Sequence, residues 1–457
     1  MTHDLIIIGG GSAGYAAART AADAGADVAI VDHGPLGGLC ILRGCMPSKT
    51  ILRSSDVMSL MHQAKEFGLA PVPVKADLAA IIDRKDRLVR EFAEDRINAL
   101  HNPRFTLYQE RASFRSPREV QVGGQILAAK AFIIAAGSVP SRIPIPGLEE
   151  VGYLTSDEIL DLRKRPASLL VLGGGPVAVE LGQFFARIGT RVTLIQRSRH
   201  ILSHLDEDLA HPVEAQLQEE GMTLYTTTVL HRFAQDGSLK AAHFSHEGRD
   251  KTESAELILQ ALGRHPNIER LNLEAAQVKT EQARVVINDE MRTSQPHIFA
   301  VGDVNSLLEI VHIAIQQGEV AGYNAVHPDK PARRMDHRLK AEVIFSDPQV
   351  ATVGPGEKEC RAQQIPYLAA SYPFSDHGKA LTLGKTRGHV KLLCRPGTGE
   401  LIGAHIVGPE AGELIHEMIV VMYYHGTVRD LLRIPHYHPT LSEIVTYPAE
   451  ALAVQLA

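Results

Sequence analysis

The 457-residue sequence predicts an α/β protein in which one strand–turn–helix–strand unit occurs twice. Three observations carry that prediction. Asp4-Leu5-Ile6-Ile7-Ile8 and Leu169-Leu170-Val171-Leu172 are unbroken apolar runs, the pattern of strands buried in a parallel sheet. Each run leads at once into a glycine-rich turn and then into a helical stretch. The two copies align at one constant offset, so that Gly9, Gly11, Gly14, Gly25 and Asp32 meet Gly173, Gly175, Ala178, Gly189 and Gln196.

In the first copy the turn is Gly9-Gly10-Gly11-Ser12-Ala13-Gly14, and an alanine-rich helix runs to about Gly25. Val28–Val31 is the second strand, closed by Asp32. Gly9 permits the tight turn, Gly11 lets a pyrophosphate approach the helix N-terminus, and Gly14 allows close helix–strand packing. Asp32 is placed to accept hydrogen bonds from a ribose. In the second copy Gly173, Gly175, Pro176, Val177 and Ala178 form the turn, and Val192–Ile195 leads to Gln196. A single glycine turn of this kind also occurs for packing alone. Two in register define two Rossmann-like dinucleotide sites. Gln196 is neutral and is followed by Arg197 and Arg199, which suit a ribose 2′-phosphate and so favour NADPH over NADH. Their alternative is two solvated surface arginines.

Composition sets the outer bounds. The chain is 44% hydrophobic and 22% charged, as in an ordinary globular protein. A net charge of −6 argues against nucleic-acid binding. There is no apolar run long enough to span a membrane. The first strand begins so near Met1 that no secretory signal is expected, and four cysteines do not make a secreted disulfide framework. A cytoplasmic location is the expectation.

Two of those cysteines, Cys40 and Cys45, lie five residues apart in Gly37-Gly38-Leu39-Cys40-Ile41-Leu42-Arg43-Gly44-Cys45-Met46-Pro47-Ser48-Lys49. A disulfide needs Cα atoms within about 7 Å, whereas five residues of helix rise about 7.5 Å. The pair can bridge only across a distorted turn. Gly44 is expected to supply unusual backbone there, and Pro47 to restart the helix. A zinc pair is the rival reading, but Cys360 and Cys394 lack the close spacing of remaining ligands and suit small buried apolar positions.

The Gly-Gly-x-Cys-x4-Cys-x-Pro-Ser-Lys string closely resembles the FAD-dependent pyridine nucleotide–disulfide oxidoreductases, and the resemblance extends over essentially the whole chain. It implies that the first unit binds FAD and the second NAD(P)H. It also implies that Cys45 is the thiol nearer the flavin and Cys40 the one that exchanges with substrate. Ala135-Ala136-Gly137 resembles the family's Ala-Thr-Gly turn past FAD, with Ala136 replacing a threonine. Gly263-Arg264-His265-Pro266-Asn267 resembles the segment that rejoins the FAD domain. Phe299-Ala300-Val301-Gly302-Asp303 resembles the second FAD motif, whose Asp binds the ribityl chain; by itself it reads equally as a plain turn. Gly38 belongs to the same FAD set. Lys49 and Glu180 match an ion pair beside the flavin, although each alone suits a surface charge. His312 and Ala314 open a helix from Val311 through Gly318 whose N-terminus would face the flavin ring.

The resemblance further assigns His438 as the base that deprotonates the exchange thiol, with Glu443 holding its far ring nitrogen. A histidine in a loop is otherwise more often structural. In the family this pair reaches the partner's active site, which implies a homodimer with shared sites. The implied domains are FAD-binding at 1–145 and 265–335, NAD(P)-binding at 146–264, and a C-terminal α+β dimerisation domain at 336–457.

The His-x-His-Pro-Thr-Leu-Ser-Glu string is most like dihydrolipoamide dehydrogenase, implying a lipoyl group, free or carried by a protein, as substrate. Ala449–Ala457 carries no cysteine pair, which speaks against a mercuric-reductase-like enzyme. Arg19 matches a glutathione-contacting arginine, but Glu319 stands where a second arginine would be. Ile41-Leu42-Arg43-Gly44 departs from the usual residues between the cysteines, so reductases of glutathione, mercury or another small disulfide, and a flavin NAD(P)H oxidase, stay open.

Overall fold

The computed structural model describes residues 2–456 as mixed α/β in two compact units. One comprises 1–50, 83–142 and 263–336; the other comprises 51–82, 143–262 and 337–457.

In the first unit, Thr2–Ile8 is a central strand, parallel to Val28–Val31 on one side and to Gln125–Ile134 on the other. Phe105–Tyr108 and Ile298–Ala300 extend the parallel order at its two ends. Leu5, Ile6, Ile7 and Ile30 are fully buried, so both faces of the sheet are covered and apolar residues need not alternate. The helices Ser12–Asp23 and Val311–Val326 pack backbone to backbone. A Cβ at Gly318 would lie 2.2 Å from the Ala13 carbonyl oxygen, and one at Gly322 would lie 2.6 Å from that of Ala17. The second of these helices runs well past Gly318, where the sequence reading left it, because Val320 and Ala321 continue its buried face.

In the second unit, Ser168–Leu172 lies between Arg191–Ile195 and Leu257–Gln260 in a four-stranded parallel sheet. The helix Pro176–Arg187 follows the glycine turn with proline at its start, where the missing N–H costs nothing. The C-terminal region forms a five-stranded antiparallel sheet, ordered Ala341–Ile344, Gln349–Val353, Leu401–Gly408, His389–Cys394 and Leu368–Pro373. Helices Ala411–Tyr423 and Thr446–Gln455 share its apolar core, which includes Ile406, Ile415, Met418 and Leu452. Cys360 and Cys394 are buried in this region, as small apolar residues would be.

On that sheet Lys391 and His405 are cross-strand neighbours. The Lys391 Nζ lies 2.8 Å from carboxylate oxygens of Asp206 and Asp208 and 3.3 Å from Glu357. His405 is buried beside this cluster, with Nε2 3.1 Å from the Pro355 carbonyl. Burial first, and then the Lys391 charge, push its pKa down to about 4. The unfolded chain therefore binds a proton near pH 6.5 that the folded protein refuses until about pH 4. Stability from this group is complete above pH 6.5 and is lost as the pH falls toward 4, by on the order of 3 kcal/mol. Thermal midpoints measured across that window should fall more steeply for the native protein than for His405→Gln.

Candidate active site

The first glycine turn has the geometry its sequence requires. Gly9 takes φ +111°, and a Cβ at Gly14 would sit 1.8 Å from the Gly9 carbonyl oxygen. Gly11 caps Ser12–Asp23 without a side-chain bond, a helix start suited to an anionic group. Asp32 follows the second strand; its carboxylate accepts the N–H of Gly10 at 2.7 Å and of Gly34 at 2.8 Å.

The dithiol segment lies directly on this turn. A Cβ at Gly38 would come within 2.7 Å of the Gly11 Cα, so only glycine lets the two loops touch. Beyond it, Leu39–Leu42 forms one helical turn and Cys45–His62 a longer helix, with a break at Arg43-Gly44. That break is the distorted turn the cysteine spacing demanded. Gly44 serves it differently from expectation, since it does not adopt a left-handed φ. It is needed because a Cβ there would lie 3.2 Å from the Cys40 Cα and 3.1 Å from the Leu39 carbonyl. Pro47 is the third residue of the new helix, a first-turn position that tolerates the missing N–H.

Cys40 is partly buried and Cys45 exposed, and their side chains hydrogen-bond. That bond, then burial, then negative charge at Cys45 hold the Cys40 thiol far above the ordinary thiol range, with Lys49 pulling weakly the other way. Cys40 keeps its proton in this arrangement and needs an external base to become a nucleophile.

Gly302 lies between Ala13 and Ala314, whose methyl carbons would each be 3.5 Å from a Cβ placed there. Its N–H donates to Gln317 Oε1 at 2.7 Å, and Asn305 Nδ2 donates to the same oxygen at 2.9 Å. Asp303 accepts a 2.6 Å bond from Ser138 Oγ, whose oxygen accepts from Arg264 Nε at 2.9 Å. Arg264 also donates to the Ser138 carbonyl, and Asn267 bonds the carbonyls of Ala136 and Gly137. Gln317, Ser138 and Arg264 were not picked out as site residues. Arg264 stands inside a motif already noted, which was the available signal. Ser138 likewise ends the stretch that holds the Ala135-Ala136-Gly137 turn, whereas Gln317 shows itself only through its contacts with Gly302 and Asn305. His312 is the second residue of the helix Val311–Val326.

In the second unit, Gly173 takes φ +105°, and Gly175 caps the helix with open space around it. Ala178 is fully buried and Val177 exposed at the helix start. Gln196 turns inward over Gly174 and accepts the Arg197 N–H. Arg197 is exposed, and Arg199 is exposed with Nε 3.5 Å from Glu207. Gly263, in the other unit, has φ +105°. Glu180 is buried, and its carboxylate accepts the Phe345 N–H at 2.9 Å.

His438 and Glu443 are brought together: His438 Nδ1 lies 2.9 and 3.1 Å from the two carboxylate oxygens. The His438 side chain is 79% exposed and that of Glu443 only 12%. A buried carboxylate thus fixes a ring whose other nitrogen faces outward, the layout of an oriented general base. Beneath them lies His377, fully buried, with Nε2 3.4 Å from Glu443 Oε1. Nothing in the sequence around His377 marked it.

Comparison with known proteins matches the pyridine nucleotide-disulphide oxidoreductase model over residues 3–318 and that family's dimerisation domain over 340–449. The chain belongs to this family of FAD-dependent oxidoreductases that use NAD(P)H. It is 37% identical to a mercuric reductase of Staphylococcus aureus over 90% of this chain and 75% of that one. It is 32% identical to a dihydrolipoyl dehydrogenase of Bacillus subtilis over 89% of each, and 36% to one of Thermus scotoductus over 90% and 88%. In fold it is similar to the HOCl-induced flavoprotein disulfide reductase RclA of Escherichia coli, with TM-score 0.87 and 24% identity over 99% of this chain and 100% of that one. No helix among the described residues is long and apolar enough to cross a membrane.

The first unit fits the FAD that the family requires. The open helix start at Gly11, the Asp32 carboxylate and the Asp303–Ser138–Arg264 chain would offer a pyrophosphate, a ribose and a ribityl chain polar partners.

Proposed function

We propose that the protein catalyses electron transfer between NADPH and a small organic dithiol–disulfide of the lipoyl kind, through Cys40 and Cys45. The observation that carries this reading is the His438–Glu443 pair. Disulfide reduction releases two thiols, and each exchange step moves a proton onto or off sulfur. His438 takes the Cys40 proton that the Cys45 bond and burial otherwise retain. The Cys40 thiolate attacks one substrate sulfur and forms a mixed disulfide. The departing sulfur receives the proton from His438. Cys45 then attacks Cys40, releases the second sulfur, which a proton from solvent neutralises, and leaves a Cys40–Cys45 disulfide. FAD supplies the two-electron relay that restores the dithiol. We assign His438 and Glu443 to the neighbouring protomer's dithiol, a homodimer with shared sites, in keeping with the dimerisation domain. Lys49 and Glu180 are proposed as the charge pair beside the flavin.

Arg197 and Arg199, exposed after a neutral Gln196, support NADPH. Glutathione disulfide is disfavoured, because Arg19 is already paired with Glu319 at 3.0 Å, and that carboxylate would repel an anionic tripeptide. A mercuric-reductase-like activity is the second reading, favoured by the 37% identical relative.

Steady-state turnover with lipoamide, glutathione disulfide and Hg(II), each with NADPH and with NADH, separates these. Lipoamide should give the highest kcat/KM, with NADPH at least about tenfold better than NADH, roughly the 1.4 kcal/mol of one charge-assisted contact. Equal use of the two nicotinamides would sink the arginine assignment. Turnover on Hg(II) alone, surviving His438→Gln, would install the second reading.

A further inference from the structure

We infer that His377 is a positioning residue that shares the Glu443 carboxylate with His438 and thereby weakens the grip of His438 on its proton. The inference rests on the proposed role of His438 as base and adds a third member to the pair.

The geometry is specific. Glu443 Oε1 lies 3.1 Å from His438 Nδ1 and 3.4 Å from His377 Nε2, so one buried carboxylate has a histidine on each side. His377 is fully buried, and neither ring nitrogen makes a well-formed hydrogen bond. A buried polar ring left in that condition costs stability, and an apolar side chain would fill the space more cheaply. The walls are aromatic: Tyr447 and Phe374 each meet the His377 ring edge-on, with centroids 6.3 and 6.4 Å away. Tyr372 stacks on Tyr447 and turns its hydroxyl to Asp376 at 2.9 Å, away from service to His377. The titratable groups acting on His377 are therefore Glu443 and His438.

Burial depresses the His377 pKa and outweighs the pull of Glu443, while His438 charge opposes protonation further. The ring stays neutral where the enzyme works. A neutral ring protonated on Nε2, 3.4 Å from Glu443 Oε1, would set its N–H dipole against the carboxylate and take up part of the acceptor strength otherwise offered to His438.

The test uses the full-length, FAD-loaded protein. His377→Phe and His377→Leu both remove the ring nitrogens, so one serves if the other does not fold; His377→Asn keeps an N–H. Two quantities are read against pH: kcat/KM with lipoamide, and the His438 ring resonance in ¹³C-histidine-labelled protein, assigned through His438→Gln. In the Phe or Leu variant the acid limb of the rate profile and the His438 ring midpoint should both move up by about one pH unit. On the acid limb this reads as a loss of about tenfold that disappears on the plateau above it, with thermal stability unchanged or raised. His377→Asn should move both by much less. A loss uniform across pH, or a ring midpoint that does not move, overturns the inference. A ring midpoint that moves while the rate profile stays put upholds the coupling and removes His438 from the base role.

Discussion

His438→Gln is expected to slow disulfide turnover about a thousandfold or more while reduction of the bound flavin by NADPH keeps its rate. The expected size follows from what the ring is placed to do. Cys40 is held protonated by its bond to Cys45 and by burial, so the thiolate needed for attack is scarce without a base. Glutamine has similar bulk and retains hydrogen-bonding groups, but it cannot carry a proton from Cys40 to the departing sulfur. In the proposed reaction, reduction of bound FAD by NADPH would precede that step and would not call on His438. Stopped-flow flavin bleaching and steady-state lipoamide turnover on one preparation separate the two halves. A parallel loss in both would mean that the substitution damaged the fold. Unchanged turnover would mean that another group moves the proton. Glu443→Gln should fall between, because it keeps an acceptor oxygen for His438 Nδ1 while removing the charge.

Much of this site was legible in the sequence because its parts are local. The Gly9–Gly14 turn, the Cys40–Cys45 spacing and the His438–Glu443 pair each lie within a few residues, where spacing and chemistry can be read together. Gly44 shows the limit even there. The helix break was foreseeable from the cysteine spacing, but its cause is the approach of the Leu39–Cys40 backbone, which no local pattern encodes. The supports of the site depend on long-range contact. Ser138 meets Asp303 and Arg264 only after the chain has passed through the whole second glycine unit. Gln317 acts on the Gly302 turn from within the next helix. His377 acquires meaning only when the strand Leu368–Pro373 and the helix Thr446–Gln455 bring it under Glu443. Such residues look like ordinary polar positions until the tertiary fold supplies their partners.

Arg187→Met is expected to cost about 3–5 kcal/mol of stability, the usual penalty for removing one member of a buried ion cluster. Arg187 is 4% exposed and donates to three carboxylates. Nε and one terminal nitrogen form a two-pronged pair with Glu220 at 2.9 and 2.7 Å. The remaining donors reach Asp56 and Asp347, each at 2.8 Å. Burial alone would raise the pKa of Asp347, but Lys385 and Arg187 more than offset it and the net direction is down. Its stabilising charge is therefore present above the ordinary carboxylate range and is lost as the pH falls through its lowered folded value. Without Arg187 part of that lowering is lost, and Asp347 keeps its burial cost with Lys385 at 3.4 Å. Asp56, whose pKa burial already raises, loses the arginine that opposes that rise, so its protonation relieves the variant in mild acid. The variant's thermal deficit should accordingly be larger at pH 7.5 than at pH 4.5. Arg187→Lys should recover little, because one ammonium cannot reproduce a planar fork that meets Glu220 twice. Asp56 ties the cluster to the helix that begins at Cys45, and burial raises its pKa despite Arg187. Asp56→Asn in the Arg187→Met background should return part of the lost stability by removing one stranded charge. If the double variant is no more stable than Arg187→Met, the cost lies in lost packing of the arginine stem rather than in its charge.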